Sequence, residues 1–225
     1  MSTSVSHGTA KRVPEPVGRV AELMSGYPGT WSLCGGWAVD AWIGKETREH
    51  GDIDVSVFAH EQRALFDHLP GWQLLAHGAA WEANDTEVWW NGRRDLPVAT
   101  HIHARPPEFS GAMPKGGIAH AEDGFTREFF VDALDGGEWV LSNEPRVGLP
   151  LRQAVQESVW GVPVAAPEAL LFFKSRGKRI RLRDHLDFEA LRPLLGDEQR
   201  SWLRDAIARA GHPWLADLSP KGGGR

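Results

Sequence analysis

Apolar and polar positions along the 225-residue chain follow two periods, which divide it into a mixed strand-and-helix stretch up to about Leu149 and a more helical remainder. Val17, Val20, Leu23 and Met24 recur at helical spacing and predict a helix over Pro14 to Met24, ended by Gly26, Pro28 and Gly29. Trp31 to Cys34 reads as a short strand, Gly35-Gly36 as a turn, and Trp37 to Ile43 as an apolar helical run. The period then falls to two. In Asp52 to Phe58, Ile53, Val55 and Val57 share one strand face, and Asp52, Asp54 and Ser56 share the other. A helix over Glu61 to Leu69 stops at Pro70-Gly71, and strands follow over Trp72 to Ala76, Glu87 to Trp90 and Leu96 to His103. Arg105 to Ala121, rich in Pro and Gly, reads as a loop and a candidate lid. Phe125 to Leu134, the turn Asp135-Gly136-Gly137 and Glu138 to Leu141 predict a hairpin.

Beyond Leu149 the pattern predicts a helix over Leu151 to Val159, a short strand over Val162 to Val164, and a helix from Glu168 to Ser175 with Pro167 in its first turn. Arg183 to Leu195 and Asp197 to Ala210 are the last two helices, closed by His212-Pro213-Trp214-Leu215. The fold class is therefore α/β (α+β): a small mixed sheet with flanking helices, followed by a helical C-terminal subdomain, with a cleft between them. The units are set at residues 14–148 and 149–218, with polar, disordered ends at 1–13 and 219–225.

Composition narrows the function classes. Hydrophobic content of 41% and charged content of 24% are those of an ordinary globular chain. A formal charge of −5 argues against a broad nucleic-acid-binding surface. The single cysteine, Cys34, excludes an internal disulfide framework and reads as a small buried hydrophobe rather than a nucleophile. The N-terminus has no apolar signal core and no apolar run is long enough to span a bilayer, so a cytoplasmic location without a membrane partner is expected.

The strongest chemical signal is the pair Asp52 and Asp54, two carboxylates side by side on one open strand face. Charges held this close repel by roughly 1 kcal/mol in water and several times that in a drier site. A strand needing only a polar face has cheaper choices. A divalent cation between the two relieves the repulsion, and oxygen ligands favour Mg2+, with substrate phosphates completing its shell. Upstream, Gly35-Gly36 lets backbone approach a ligand closely, and the helix N-terminus offers free N–H groups to phosphate. Together they point to a nucleotide. Each motif alone is commonly only a turn or a strand edge; their order and spacing give the pair its force.

Gly35-Gly36-Trp37-Ala38-Val39-Asp40, then Gly44, Thr47-Arg48, His50 and Asp52-Ile53-Asp54, resembles the DNA polymerase β-like nucleotidyltransferase superfamily, and within it the aminoglycoside and lincosamide nucleotidyltransferase branch. The resemblance implies transfer of a nucleoside monophosphate from an NTP, ATP being the expected donor, to a hydroxyl of a small molecule such as an aminoglycoside- or lincosamide-like antibiotic. It implies Asp52 and Asp54 as Mg2+ ligands, Gly35 and Gly36 at the phosphates, and Arg48 beside them. It also implies a third carboxylate, a metal ligand or base, on a neighbouring strand. Glu128 and Asp132 both qualify, four apart on one strand face, and the setting of Glu128 favours it although many relatives carry Asp there. Lys174, followed by Arg179, Arg183, Asp184 and Asp187, resembles a C-terminal motif in which the lysine reaches the triphosphate and the acids fix the helices. That motif also leans towards a second reading, a toxin-type enzyme modifying tRNA or a protein. A third is an inactive nucleotide-binding regulatory module.

Smaller candidates complete the reading. Asp40, within the helical run Trp37 to Ile43, leaves capping, salt-bridge and substrate-amine roles open, with a structural role favoured. Arg48 and His50 either serve the site that the resemblance implies or anchor the loop before the Asp strand. His101 and His103 alternate on one strand face at a spacing that suits zinc, but no third ligand with metal spacing is evident in the sequence. Trp81, Trp89 and Trp90 are either core residues or walls of an acceptor pocket.

Overall fold

The structure, a computed structural model, describes residues 12–78, 87–108, 126–143, 146–176, 179–209 and 211–218. The terminal segments, Trp81 and most of the Arg105–Ala121 loop lie outside the described residues. Helix α1 spans Glu15–Leu23, strand β1 Trp31–Cys34, α2 Gly35–Ile43 and β2 Asp52–Phe58. Next come α3 Gln62–His68, β3 Gln73–His77, β4 Glu87–Trp89 and β5 His101–Arg105. The hairpin is β6 Thr126–Asp135 and β7 Glu138–Asn143, followed by β8 Arg146–Pro150. Gly136 and Gly137 both hold positive φ in its turn, as a two-residue hairpin loop demands.

Among the described residues the strands form one mixed sheet of ten, with β4-β3-β5-β6-β2-β1-β10-β9 as its main path and β7 and β8 branching from β6. The path ends on β9 Val155–Glu157 and β10 Pro163–Ala165, and β10 runs parallel to β1. The remaining helices are the short α4 Leu151–Ala154, α5 Pro167–Ser175, α6 Leu182–Leu191, α7 Asp197–Ala208 and the short α8 Leu215–Leu218. The expected architecture is therefore present: a mixed sheet with flanking helices and a helical C-terminal part. Ile53, Val55 and Val57 are buried to 1% exposure or less, and so fix which face of β2 turns to the core. With a strand period of two, Asp52 and Asp54 must face the other way.

Two expected elements come out differently. The helix expected over Leu151 to Val159 ends at Ala154, because Val155–Glu157 pairs antiparallel with Pro163–Ala165 and extends the sheet. Sheet pairing overrides a helical pattern of this length. The strand expected over Leu96 to His103 begins only at His101. Pro97 has no N–H for a ladder and Ala99 adopts φ 68, so the segment is held otherwise. Gln62 accepts from the Leu96 N–H at 2.6 Å and donates to its carbonyl at 3.3 Å, while the Ala99 N–H donates to Val131 at 2.8 Å.

Candidate active site

The parallel pairing of β2 with β6 sets Asp54 directly beside Glu128, and Asp52 beside Thr126. On the other flank, the antiparallel pairing of β1 with β2 sets Cys34 opposite Asp54, which brings the start of α2 over the carboxylates. Gly35 sits there at φ +64, and a Cβ on it would lie 1.7 Å from Asp54 Oδ2. A Cβ on Gly36 would lie 2.5 Å from both the Arg48 guanidinium and His50 Nδ1. The glycine pair is thus required by how closely its own protein's side chains approach.

Eight of the residues singled out in the sequence, Gly35, Gly36, Arg48, Asp52, Asp54, Glu128, Asp132 and Lys174, line one cleft of about 490 Å3. Its far wall comes from α5 and the start of α6, so it lies between the sheet and the C-terminal helices. Arg181 and Arg183 also line it, whereas Arg179 does not. The size is that of a small-molecule site.

Removal from water pushes the Asp54 pKa up to about 7, with Asp52 and Glu128 adding repulsion and Lys174 and Arg183 opposing it. Burial likewise raises Glu128, but the hydrogen bond from His103 and the nearby imidazoles outweigh it and hold that carboxyl below its ordinary value. Asp132 is also pushed up to about 7 by burial, against a hydrogen bond donated by Ser56. Of the two candidates for a third carboxylate, Glu128 is the one ionised at neutral pH and adjacent to Asp54. Cys34, desolvated and beside Asp54, has its thiol pushed well above its usual range, so it stays protonated as a buried hydrophobe does.

One acid holds two of the cations that line the cleft, Lys174 and Arg48. Asp187, 2% exposed, accepts from Lys174 Nζ at 2.6 Å and from two Arg48 nitrogens at 3.3 Å. This links α6 to the loop before β2, and both cations stay at the cleft. Breaking a buried pair leaves uncompensated charge, so Asp187→Ala is expected to cost about 3 kcal/mol. In thermal unfolding that is a fall of roughly 6–12 °C for a chain this long. A fall below about 2 °C would show that the bridge contributes nothing to stability.

A second anchor shapes the loop itself. Asp40 is fully buried and accepts from His50 Nε2 at 2.6 Å, from the Thr47 N–H at 3.1 Å and from the Thr47 hydroxyl. His50 packs on Trp37 with ring centres 4.4 Å apart. Asp40 and His50 therefore fix the loop and do not face the cleft. Trp90 is a core residue, and Trp89 is 51% exposed outside the cleft wall.

The largest addition to the sequence reading is a third histidine. His77 of β3 pairs with His101 of β5, which brings His77, His101 and His103 together on the face that carries Glu128 and Asp54. Only the register of two strands distant in sequence reveals it, and no local pattern carries that register. Among the described residues this is the only group of three metal-ligating side chains drawn within 4.8 Å. Asp52, Asp54 and Glu128 do not form such a group.

Residues 17–105 match the sequence model of a family described as aminoglycoside-2''-adenylyltransferase. No curated protein matches the chain at a significant level. Among solved structures, the lincosamide antibiotic adenylyltransferase LnuA with lincomycin bound is similar at 21% identity over 81% of this chain and 99% of that one, with a TM-score of 0.53. The antibiotic-resistance factor ANT(2'')-Ia is similar in solution at 13% identity over 87% and 90% of the two chains, TM-score 0.51. Its crystal structure with adenylyl-2''-tobramycin is similar at 12% identity over 87% and 97%, TM-score 0.51. The fold of this chain is that of the DNA polymerase β-like nucleotidyltransferases.

Proposed function

We propose that the protein transfers a nucleoside monophosphate from an NTP, in first place ATP, to a hydroxyl of a small antibiotic-like acceptor. The observation that carries this reading is the pairing of Asp54 with Glu128 beneath the start of α2, opposite Lys174 and Arg183. Carboxylates occupy the sheet side of the cleft, and cations occupy the side of α5 and α6. A triphosphate suits the cationic wall, and the free N–H groups of α2 suit its oxygens.

The donor set fits a hard divalent cation. Asp52 and Asp54 offer only oxygen, and the burial and like-charge repulsion that together lift Asp54 are what a cation offsets. Asp52 and Asp54 would hold Mg2+, which when bound supplies charge neutralisation at the reacting phosphate. The chain's own residues account for the rest. Glu128, ionised and held by His103, takes the proton as the acceptor hydroxyl oxygen bonds to the α-phosphorus. The bond from that phosphorus to the bridging oxygen breaks, and pyrophosphate leaves towards Lys174, Arg48 and Arg183. Asp132, its pKa raised to about 7 by burial and its carboxylate bonded by Ser56, supports the strand below.

The family matched over residues 17–105 and the antibiotic-bound structures of similar fold support this acceptor class. A polycationic acceptor also suits a cleft floor carrying Asp52, Asp54 and Glu128. The test is incubation with each NTP labelled at the α-phosphate, magnesium, and a panel of aminoglycosides and lincosamides. A labelled acceptor formed one for one with pyrophosphate is the expected result. Folded protein that binds no NTP in the presence of magnesium and labels no acceptor would overturn the reading.

A further inference from the structure

We infer that His77, His101 and His103 form a binding site for one divalent transition metal ion, zinc in first place, on the flank of the carboxylate face. The site stands on these residues alone and does not depend on nucleotidyl transfer. Cross-strand pairing of His77 with His101, and a separation of two between His101 and His103, put all three imidazoles on one sheet face. One ring nitrogen from each lies within 4.8 Å of the others. The His77 and His103 rings are centred 4.2 Å apart, and those of His77 and His101 lie 4.8 Å apart and nearly parallel. Zinc at its usual ~2.0–2.1 Å from nitrogen needs the donors somewhat closer, which small side-chain rotations supply on fixed strands.

The outer shell matches a metal site as well. Glu87 lies 3.3 Å from His77 Nδ1, and Glu128 lies 3.1 Å from His103 Nε2. Histidines that ligate a metal characteristically give their other ring nitrogen to a carboxylate, which fixes the tautomer and raises the basicity of the ligating atom. With Nδ1 on Glu87, His77 keeps its lone pair on Nε2. That atom is buried and has no hydrogen-bond partner. A buried nitrogen acceptor left unsatisfied is costly, and a metal is the partner its lone pair suits.

The chemistry separates this site from the aspartate pair. Three neutral imidazoles without thiolate suit zinc, nickel or copper, while magnesium demands oxygen ligands. With three protein ligands, a fourth position is left to water.

The experiment uses untagged full-length protein stripped with a chelator and titrated with Zn2+ by calorimetry, then with Co2+ by visible absorption. The expected result is one zinc per chain with a dissociation constant below about 1 µM, undisturbed by excess Mg2+, and cobalt bands of a four-coordinate ion. His77→Gln and His101→Gln, each checked for native circular dichroism, should weaken zinc at least about 100-fold, and Asp52→Asn/Asp54→Asn should leave it unchanged. His101→Gln, with a half-buried side chain, serves if His77→Gln does not fold. Absence of stoichiometric zinc binding would overturn the proposal. So would binding that survives the histidine changes or disappears with the aspartates.

Discussion

Asp54→Asn is expected to reduce nucleotidyl transfer at least about 10³-fold while making the protein more resistant to heat at pH 8 in metal-free buffer. The two effects share one cause. Asp54 is held out of water, against Asp52 and Glu128, and its pKa rises to about 7. A carboxyl whose folded pKa lies above its unfolded value near 3.8 keeps its proton in the folded protein after the unfolded chain has lost it. Its contribution to stability is therefore fully present below about pH 4 and is lost as pH rises to about 7. Asparagine has the same shape and never carries that charge, so at pH 8 it should gain about 2 kcal/mol, or roughly 4–8 °C in Tm for this size. The gain should shrink towards pH 4. Transfer within about tenfold of wild type, roughly 1.4 kcal/mol of barrier, would remove Asp54 from the proposed role. An unchanged Tm at pH 8 would show that the site relaxes around the charge.

The residues of this face were legible in the sequence to the extent that they obey a local period. Ile53, Val55 and Val57 alternate with Asp52, Asp54 and Ser56, and a buried apolar trio leaves the acids only one face to occupy. Glu128 and Asp132 were both legible as acids on one strand face, with the setting favouring Glu128; that Glu128 is the one beside Asp54, and that Asp132 is enclosed with Ser56, depends on strand pairing. Asp187 read as a structural acid because the motif it shares with Lys174 uses its acids to fix the helices. That it binds Lys174 and Arg48 together depends on α6 packing beside α2, which no window of sequence contains. His77 is the clearest case. It lies 24 positions before His101 and reaches it only through antiparallel pairing, with residues outside the described structure between them. Strand Val155–Glu157 was hidden for the opposite reason: its local pattern suits a helix, and a partner strand decides otherwise.

Gly35→Ala tests whether the glycine pair serves the carboxylate rather than only the turn. Two penalties fall on the new methyl group. The left-handed backbone at φ +64 costs a non-glycine residue about 1–2 kcal/mol. The Cβ would also stand 1.7 Å from Asp54 Oδ2 and 2.6 Å from Cγ, so one of the two must move. The contact is with a side chain and not with backbone, and β2 is fixed by its pairs with β1 and β6. The carboxylate therefore rotates away, and the strand stays. A total loss of about 2–3 kcal/mol in stability is expected from denaturant titration, with transfer reduced at least about 10²-fold. The activity loss is the larger effect because a carboxylate oxygen proposed to hold the metal, displaced by about 1 Å, no longer meets the geometry the reaction needs. Gly36→Ala provides the contrast, since its methyl group meets the Arg48 guanidinium and the buried His50 ring, both held by acids, rather than the Asp54 carboxylate, and so should cost stability without displacing that carboxylate. If Gly35→Ala retains activity within about threefold, less than 1 kcal/mol of barrier, then Asp54 does not depend on the glycine, and the close approach at the start of α2 is only a feature of packing.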